Sequence, residues 1–346
     1  MYPSGHTFVM LLATLLFGIV PCIANAQPEK KPVLRFNARG QFKIVQFTDL
    51  HLNEDNEDDD KTLALMEQVL DAETPHLVVL TGDILGSSAQ PKRIMKLGAE
   101  PMIERQIPWA VALGNHDDEG TKDRPGLMDV ITSLPYSLSQ RGPKDIHGVG
   151  NYYLPVYSTD GQTKKWILYF LDSNAYPAHK SLGSYAWIRV DQVHWYYETS
   201  KALAAQHNDR GYPSLAFFHI PLPEYEQALT HGEADLVGHR HESICCPRIN
   251  SGLFAAMLER GDVKGTFVGH DHVNDYESAL HGIRLIYGRA TGFSAYGREG
   301  FPRGGRVILI EADQTKFTTW LRLENGVKVQ YQVAPRVRRP RSTRTP

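Results

Sequence analysis

The chain has 346 residues, 42% of them hydrophobic and 22% charged, a globular balance that excludes a disordered chain, a collagen-like repeat and a polytopic membrane protein. The formal charge of −2 is uneven: Arg336, Arg338, Arg339, Arg341 and Arg344 lie in the last twelve residues, so residues 1–334 sum to −7. A mildly acidic body lacks the basic face of a nucleic-acid reader, and no nucleic-acid partner is expected.

From the N-terminus, Phe8–Val20 is a thirteen-residue apolar run broken only by Thr14 and Gly18. It is short for a membrane span, which needs about 20 apolar residues. Pro21 and the small-x-small pattern Ala24-Asn25-Ala26 follow, ahead of Gln27. The segment reads as a secretory signal peptide over residues 1–26, which implies a secreted or periplasmic protein with no stable span after cleavage. Residues 1–7 carry no Lys or Arg, and an uncleaved anchor is the alternative. Cleavage leaves Cys245 and Cys246 as the only cysteines. Neighbouring residues rarely reach disulfide geometry without strain, so both read as buried small hydrophobes beside a turn at Pro247.

The body, residues 33–334, reads as one domain. Short apolar runs predict strands at Phe42–Phe47, Leu77–Leu80, Trp109–Leu113, Trp166–Leu171, Leu215–Phe218, Gly265–Val268, Ile283–Tyr287, Arg306–Ile310 and Phe317–Leu321. Helices are expected over Lys61–Ala72, Pro91–Arg105, Arg189–Gln206 and Ser251–Arg260. The alternation is that of an α/β fold, and the hairpin at its end implies mixed sheets. The acidic run from Glu54 to Asp60 lacks the ligand spacing of a calcium loop and reads as a solvated loop ending in an N-cap. The Pro- and Arg-rich residues 335–346 read as a disordered tail.

Five short segments fall where these strands end: Asp49-Leu50-His51, Gly82-Asp83, Gly114-Asn115-His116-Asp117, His219 and Gly269-His270-Asp271-His272. Asp49, Asp83 and Asn115 are 34 and 32 residues apart, about one strand–helix–strand unit each. Ligands of open α/β sheets gather outside the carboxyl ends of strands, so these residues should converge. Two carboxylates, one amide oxygen and the imidazoles of His51, His219, His270 and His272 suit two divalent or trivalent ions of the Fe, Mn or Zn class. Paired ions clamp the attacking and leaving oxygens of a displacement at phosphorus, and a hydroxide between them would be the attacking group. Gly82 and Gly114 would let the backbone turn sharply beside the ions.

In this ordered set the sequence resembles the calcineurin-like metallophosphoesterases, with the pattern D-x-H, G-D, G-N-H-[D/E], H and G-H-x-H, over about residues 33 to 312. The stretches Phe218-His219-Ile220-Pro221 and Val268-Gly269-His270-Asp271-His272 are similar to the purple-acid-phosphatase-like branch. The resemblance implies two mixed β-sheets packed as a sandwich and flanked by helices in four layers. It further implies one metal on Asp49, His51, Asp83 and His272 and a second on Asp83, Asn115, His219 and His270, with Asp83 bridging. His116 would face the phosphate as general acid or phosphate binder. Asp117 would orient it or stabilise the turn. The tyrosine ligand of purple acid phosphatases proper is missing, since Gly86 stands three residues after Asp83. A small phosphorylated substrate is implied. Phosphomonoesterase, phosphodiesterase on nucleotides or lipid headgroups, and non-catalytic scaffold all remain open, with the monoesterase favoured.

Gly238-His239-Arg240-His241 also matches G-H-x-H, but only 20 residues separate His219 from His239. That is too little for a helix and a further strand, so residues 269–272 are the expected ligands. The Gly-rich stretch Gly288–Gly305 is either a substrate loop offering Arg289 or Arg298 to phosphate, or a solvated turn region.

Overall fold

In Gln41–Phe47 (β1) successive side chains point to opposite faces. Phe42 and Ile44 are buried toward a second sheet, and Val45 and Phe47 toward helices. This alternation, repeated along the chain, builds the molecule. The structure, a computed structural model, describes Met1 and residues 31–54 and 56–332; the expected signal peptide and basic tail lie outside the described residues. A compact unit begins at Lys31 and carries every strand and helix among the described residues.

The first sheet joins β1 to Leu77–Leu80 (β2) and Trp109–Val111 (β3) in parallel on one side. On the other side Gly304–Glu311 (β10), Phe317–Leu323 (β11) and Lys328–Val329 (β12) add antiparallel neighbours. The second sheet is formed by Tyr152–Tyr157 (β4), Lys164–Phe170 (β5), Ser214–Phe217 (β6), Val263–Val268 (β7), Glu277–Leu280 (β8) and Ile283–Tyr287 (β9), in the spatial order β4-β5-β6-β7-β9-β8. Its four central strands are parallel and its two edges antiparallel. Both sheets are mixed, as expected.

The inner faces meet in a buried aromatic layer. Tyr152 stacks on Phe170, Phe170 on Phe217 and Phe217 on Phe267, with ring centroids 4.6, 5.4 and 5.3 Å apart. Such pairs add about 0.5–1.5 kcal/mol each beyond the area they bury. The outer faces are covered by helices: Glu57–Glu73 (α1), Pro91–Glu104 (α2) and Arg124–Ser133 (α3) over the first sheet, and Val190–Ala205 (α4), Glu224–His231 (α5) and Leu253–Arg260 (α6) over the second.

The structure differs from the sequence reading in several elements. The acidic run ends in the expected N-cap, Asn56, which accepts hydrogen bonds from the Asp58 and Asp59 amides, but α1 starts already at Glu57, so residues 57–60 are helix rather than loop. Four carboxylates in its first turn meet the positive end of the helix dipole. β4 is an additional strand that tolerates Pro155 because it is a sheet edge. α3, α5, β8 and β12 are also additional, all ten residues or fewer. Among the described residues no helix is long and apolar enough to cross a membrane.

Candidate metal centre

The carboxyl ends of β1, β2 and β3 face those of β6 and β7, and buried bonds lock the two sheets there. Gln46 Nε2 donates to Val268 O at 3.1 Å, and the His270 amide to Asp49 Oδ1 at 3.0 Å. The chain turns abruptly beyond each strand. Asp49, His51, Asp83 and His270 all have positive φ, between 47° and 78°, a region L-residues visit at a cost and which clusters at functional sites. Backbone bonds from Asp49 N to Gly82 O and from His51 N to Asp83 O, at 3.1 and 2.9 Å, hold the first two loops together. Gly82 and Gly114 let the second and third loops touch. A Cβ on Gly82 would lie 2.6 Å from the Gly114 backbone, and one on Gly114 2.2 Å from Asp83 Oδ1.

These turns bring donor atoms into two groups, each within 4.8 Å: Asp49, His51, Asp83 and His272, and Asp83, His219 and His270. Asp83 belongs to both. His219 Nε2 lies 3.0 Å and His51 Nε2 3.6 Å from Asp83 Oδ2, while His272 Nε2 lies 3.5 Å from Asp49 Oδ1. Imidazole nitrogens face one another across the site, His51 and His272 at 3.2 Å, His219 and His270 at 3.3 Å. Asn115 is buried beside them. Its Nδ2 donates to Tyr176 Oη at 3.1 Å, but its Oδ1 has no hydrogen-bond partner. A buried amide oxygen left unpaired costs about 1–3 kcal/mol and is what a cation would satisfy. His219 Nδ1, 2.7 Å from Thr81 O, is fixed as a protonated nitrogen by that carbonyl, which aims Nε2 at Asp83.

The electrostatics favour ionised carboxylates. Burial raises the pKa of Asp49, but the neighbouring His272 and His219 outweigh it and hold it near 2; His219 likewise keeps Asp83 well below the carboxylate range. Burial lowers His51 to about 4 and His270 to about 3, leaving both neutral at pH 7. In His219 the Asp83 charge overcomes burial and lifts the pKa to about 9.

His116 stands at the edge, its side chain 39% exposed. Of the two roles open to Asp117, orienting His116 or stabilising the turn, the geometry fits the second: Asp117 is buried and accepts from the amides of Asp83, Ile84, Leu85 and Gly114. It fastens the second loop to the third and does not reach the imidazole. The carboxylate that does is Glu119, whose Oε2 lies 2.7 Å from His116 Nδ1 and whose Oε1 accepts from Tyr176 Oη at 2.7 Å. The chain Asn115–Tyr176–Glu119–His116 thus joins a candidate ligand to the exposed imidazole. The sequence reading missed Glu119 and Tyr176; the one signal was the spacing His116-x-x-Glu119, common by chance.

A cleft of about 260 Å³ opens over the donor groups, walled by Tyr185, Cys245 and residues 294–296. Cys245 is therefore a half-buried wall residue rather than a core hydrophobe, and burial and then Asp271 raise its thiol to about 12. Tyr296 stacks on His272 with centroids 4.0 Å apart and donates to Glu242. Of the two readings for residues 288–305, the stretch reaches the cleft, but not through its arginines. Arg289 is buried on Asp275 and Phe301, and Arg298 is not in the cleft wall. His239 and His241 lie outside both donor groups; His239 contacts Asp275 and Tyr331 instead. A helix, α5, does fit between His219 and Gly238, but no named strand follows it before β7.

A family model described as calcineurin-like phosphoesterase matches residues 42–274. A protein of Arabidopsis thaliana named "Probable inactive purple acid phosphatase 14" is 35% identical, over 90% of this chain and 86% of its own. "Phosphatase DCR2" of Saccharomyces cerevisiae is 38% identical over 84% of this chain, which spans 55% of that protein. A solved dimetal phosphatase from Danio rerio shares the fold, with a TM-score of 0.57 over 84% of this chain and 99% of its own at 13% identity.

Proposed function

The chain belongs to the calcineurin-like phosphoesterases, and from that premise we propose that it is a secreted phosphomonoesterase holding two metal ions. Asp49, His51, Asp83 and His272 would hold one ion, and Asp83, Asn115, His219 and His270 the other. The observation that carries this is a set of two carboxylates and four imidazoles already arranged in two groups that share Asp83, with the buried Asn115 Oδ1 left without a hydrogen-bond partner next to His116 in the chain. Mixed oxygen and nitrogen donors without thiolate fit ions of the Fe, Mn or Zn class. Bound there, two such ions supply an activated water and neutralise charge on the phosphoryl oxygens. Gly86 stands three residues after Asp83 and offers no tyrosinate ligand to the site.

The chain's own residues then divide the remaining work. His116, exposed at the cleft, would give a proton to the leaving oxygen from Nε2. Glu119 would hold the Nδ1–H and orient the ring, and Tyr176 would fix Glu119 in turn. Tyr296, stacked on His272, would hold the orientation of that ring. Export rests on the apolar segment Phe8–Val20 and Ala24-Asn25-Ala26, and sequencing of the exported protein should find Gln27 first.

Three of the Arabidopsis relatives are named as probably inactive and the yeast relative as a phosphatase, so hydrolysis is the decisive measurement. Protein loaded separately with Fe, Mn and Zn should hydrolyse p-nitrophenyl phosphate faster than bis-(p-nitrophenyl) phosphate. The reverse preference would make it a diesterase. Loaded protein inert on both and on a wider phosphoester panel would be a scaffold.

A further inference from the structure

Away from the metal centre, an open groove of about 500 Å³ lies between α2 and α3. Its floor is apolar, from Pro91, Val130 and Leu134, and its rim carries Lys92, Lys96 and Lys122. No acidic side chain lines it, and none of these three lysines has an ion-pair partner among the described residues. This is notable in a body that sums to −7 over residues 1–334. The placement also has a local cost. Lys92 lies in the first turn of α2, where cations oppose the dipole and no acid offsets them, and Lys92 and Lys96 are like charges at i,i+4. A local conflict of this kind is relieved by an anion.

The groove adjoins the loop that carries Glu119. Ser87 Oγ donates to Glu119 Oε2 at 3.4 Å and Thr121 Oγ1 to Ala89 O at 3.3 Å, so residues 87–89 and 119–122 form a common wall. Lys122 is three residues from Glu119, a reach of at most about 11 Å. A peptide with its phosphoryl group beside His116 would lay residues about two to four positions away on the groove.

We propose that this groove docks the acidic flank of a phosphorylated peptide, so that the site acts on phosphorylated side chains with Asp or Glu nearby. The proposal rests on the phosphoesterase reading for its catalytic consequence, but the groove's charge and amphipathic lining stand apart from it. Single small anions leave the apolar floor uncovered; a peptide covers floor and rim together.

The test uses the full-length metal-loaded protein and a labelled phosphoserine peptide flanked on both sides by glutamates, with an alanine-flanked companion. Binding is read by fluorescence anisotropy at about 0.05 M salt, where screening is weak. Wild type should bind the acidic peptide about tenfold more tightly than the neutral one, and the combined variant Lys92→Glu, Lys96→Glu, Lys122→Glu should lose that advantage. Its turnover of p-nitrophenyl phosphate should match wild type, showing an intact fold and site. Equal binding of the two peptides by wild type, or an unchanged advantage in the variant, overturns the proposal. Wild type inert on p-nitrophenyl phosphate, on its bis-ester and on the wider phosphoester panel would sink the phosphoesterase reading instead, while the binding comparison still decides the groove.

Discussion

Asp49, His51, Asp83 and His270 share a backbone conformation that costs free energy, and they share it because each must aim its side chain into one small volume. Asp83 is the shared member. Asp83→Asn keeps its shape and loses the charge that offsets two neighbouring cations, so elemental analysis should find fewer than two ions per chain; two tightly held ions would remove its bridging role. His116→Ala should keep both ions and lose about 10²–10⁴-fold of kcat on alkyl phosphates, with a smaller loss on p-nitrophenyl phosphate, whose leaving group needs little protonation. Glu119→Gln should follow the same leaving-group pattern with a smaller loss, whereas equal losses on both substrates would assign the pair to phosphate binding. Residues of this kind were legible in the sequence because Asp, Asn and His at strand ends with fixed order are rare together. Glu119 was not, since a carboxylate three residues from a histidine says nothing until the turn between them is known. Asp117 left two readings open, a partner for His116 or a stabiliser of the turn; successive side chains diverge, and its carboxylate turns back onto four amides, which favours the second.

Among the elements, uninterrupted apolar or amphipathic runs were readable, and those broken by proline or polar residues were not. β1, β2, β9 and α2 lie close to their expected places, whereas β4 was hidden by Pro155 and β8 by its polar sequence Glu-Ser-Ala-Leu. Topology nonetheless separated the two G-H-x-H copies. His270→Ala and His272→Ala should each lose metal and nearly all activity, while His239→Ala should keep both ions; the reverse result would contradict the placement of residues 269–272 after β7. A second prediction concerns how α1 is anchored. Its last residue, Glu73, sits at the negative end of the dipole, yet accepts from Trp320 Nε1 at 3.0 Å and Arg322 Nη2 at 2.6 Å and pairs with Lys43 at 3.3 Å. Burial raises its pKa, but Trp320, Arg322 and Lys43 outweigh that and hold it below the usual 4.5. A depressed carboxyl stabilises the fold fully above its unfolded pKa and loses that contribution as pH falls through the folded one. Glu73→Ala should therefore lower stability by about 2 kcal/mol at neutral pH, after allowance for the partly exposed arginine, and the gap to wild type should close in acid denaturation series below the ordinary glutamate range. A gap that persists unchanged there would show that packing, not charge, fixes α1.

On the scale of the whole molecule, the donor groups join the two sheets at one end, with Asp49, His51 and Asp83 from the first and His219, His270 and His272 from the second. Ions bound there should brace the folded state alone: at a free concentration one hundred times Kd, one site contributes about 2.7 kcal/mol. Chelation should lower Tm by several degrees and re-addition of metal should restore it; an unchanged Tm would mean that the cluster holds no ion. The order of strands has a separate consequence, for the time course of synthesis. β1 gains its parallel neighbour β2 within a few dozen residues, but its other neighbour, β10, starts at Gly304, 257 residues after Phe47. At about 5–20 residues per second a ribosome takes about 13–50 s to cover that interval. Throughout it, one side of an apolar strand carries unpaired amides, a template for pairing with any other nascent chain. The last strands to be made are therefore what ends the period in which this protein is most prone to aggregate.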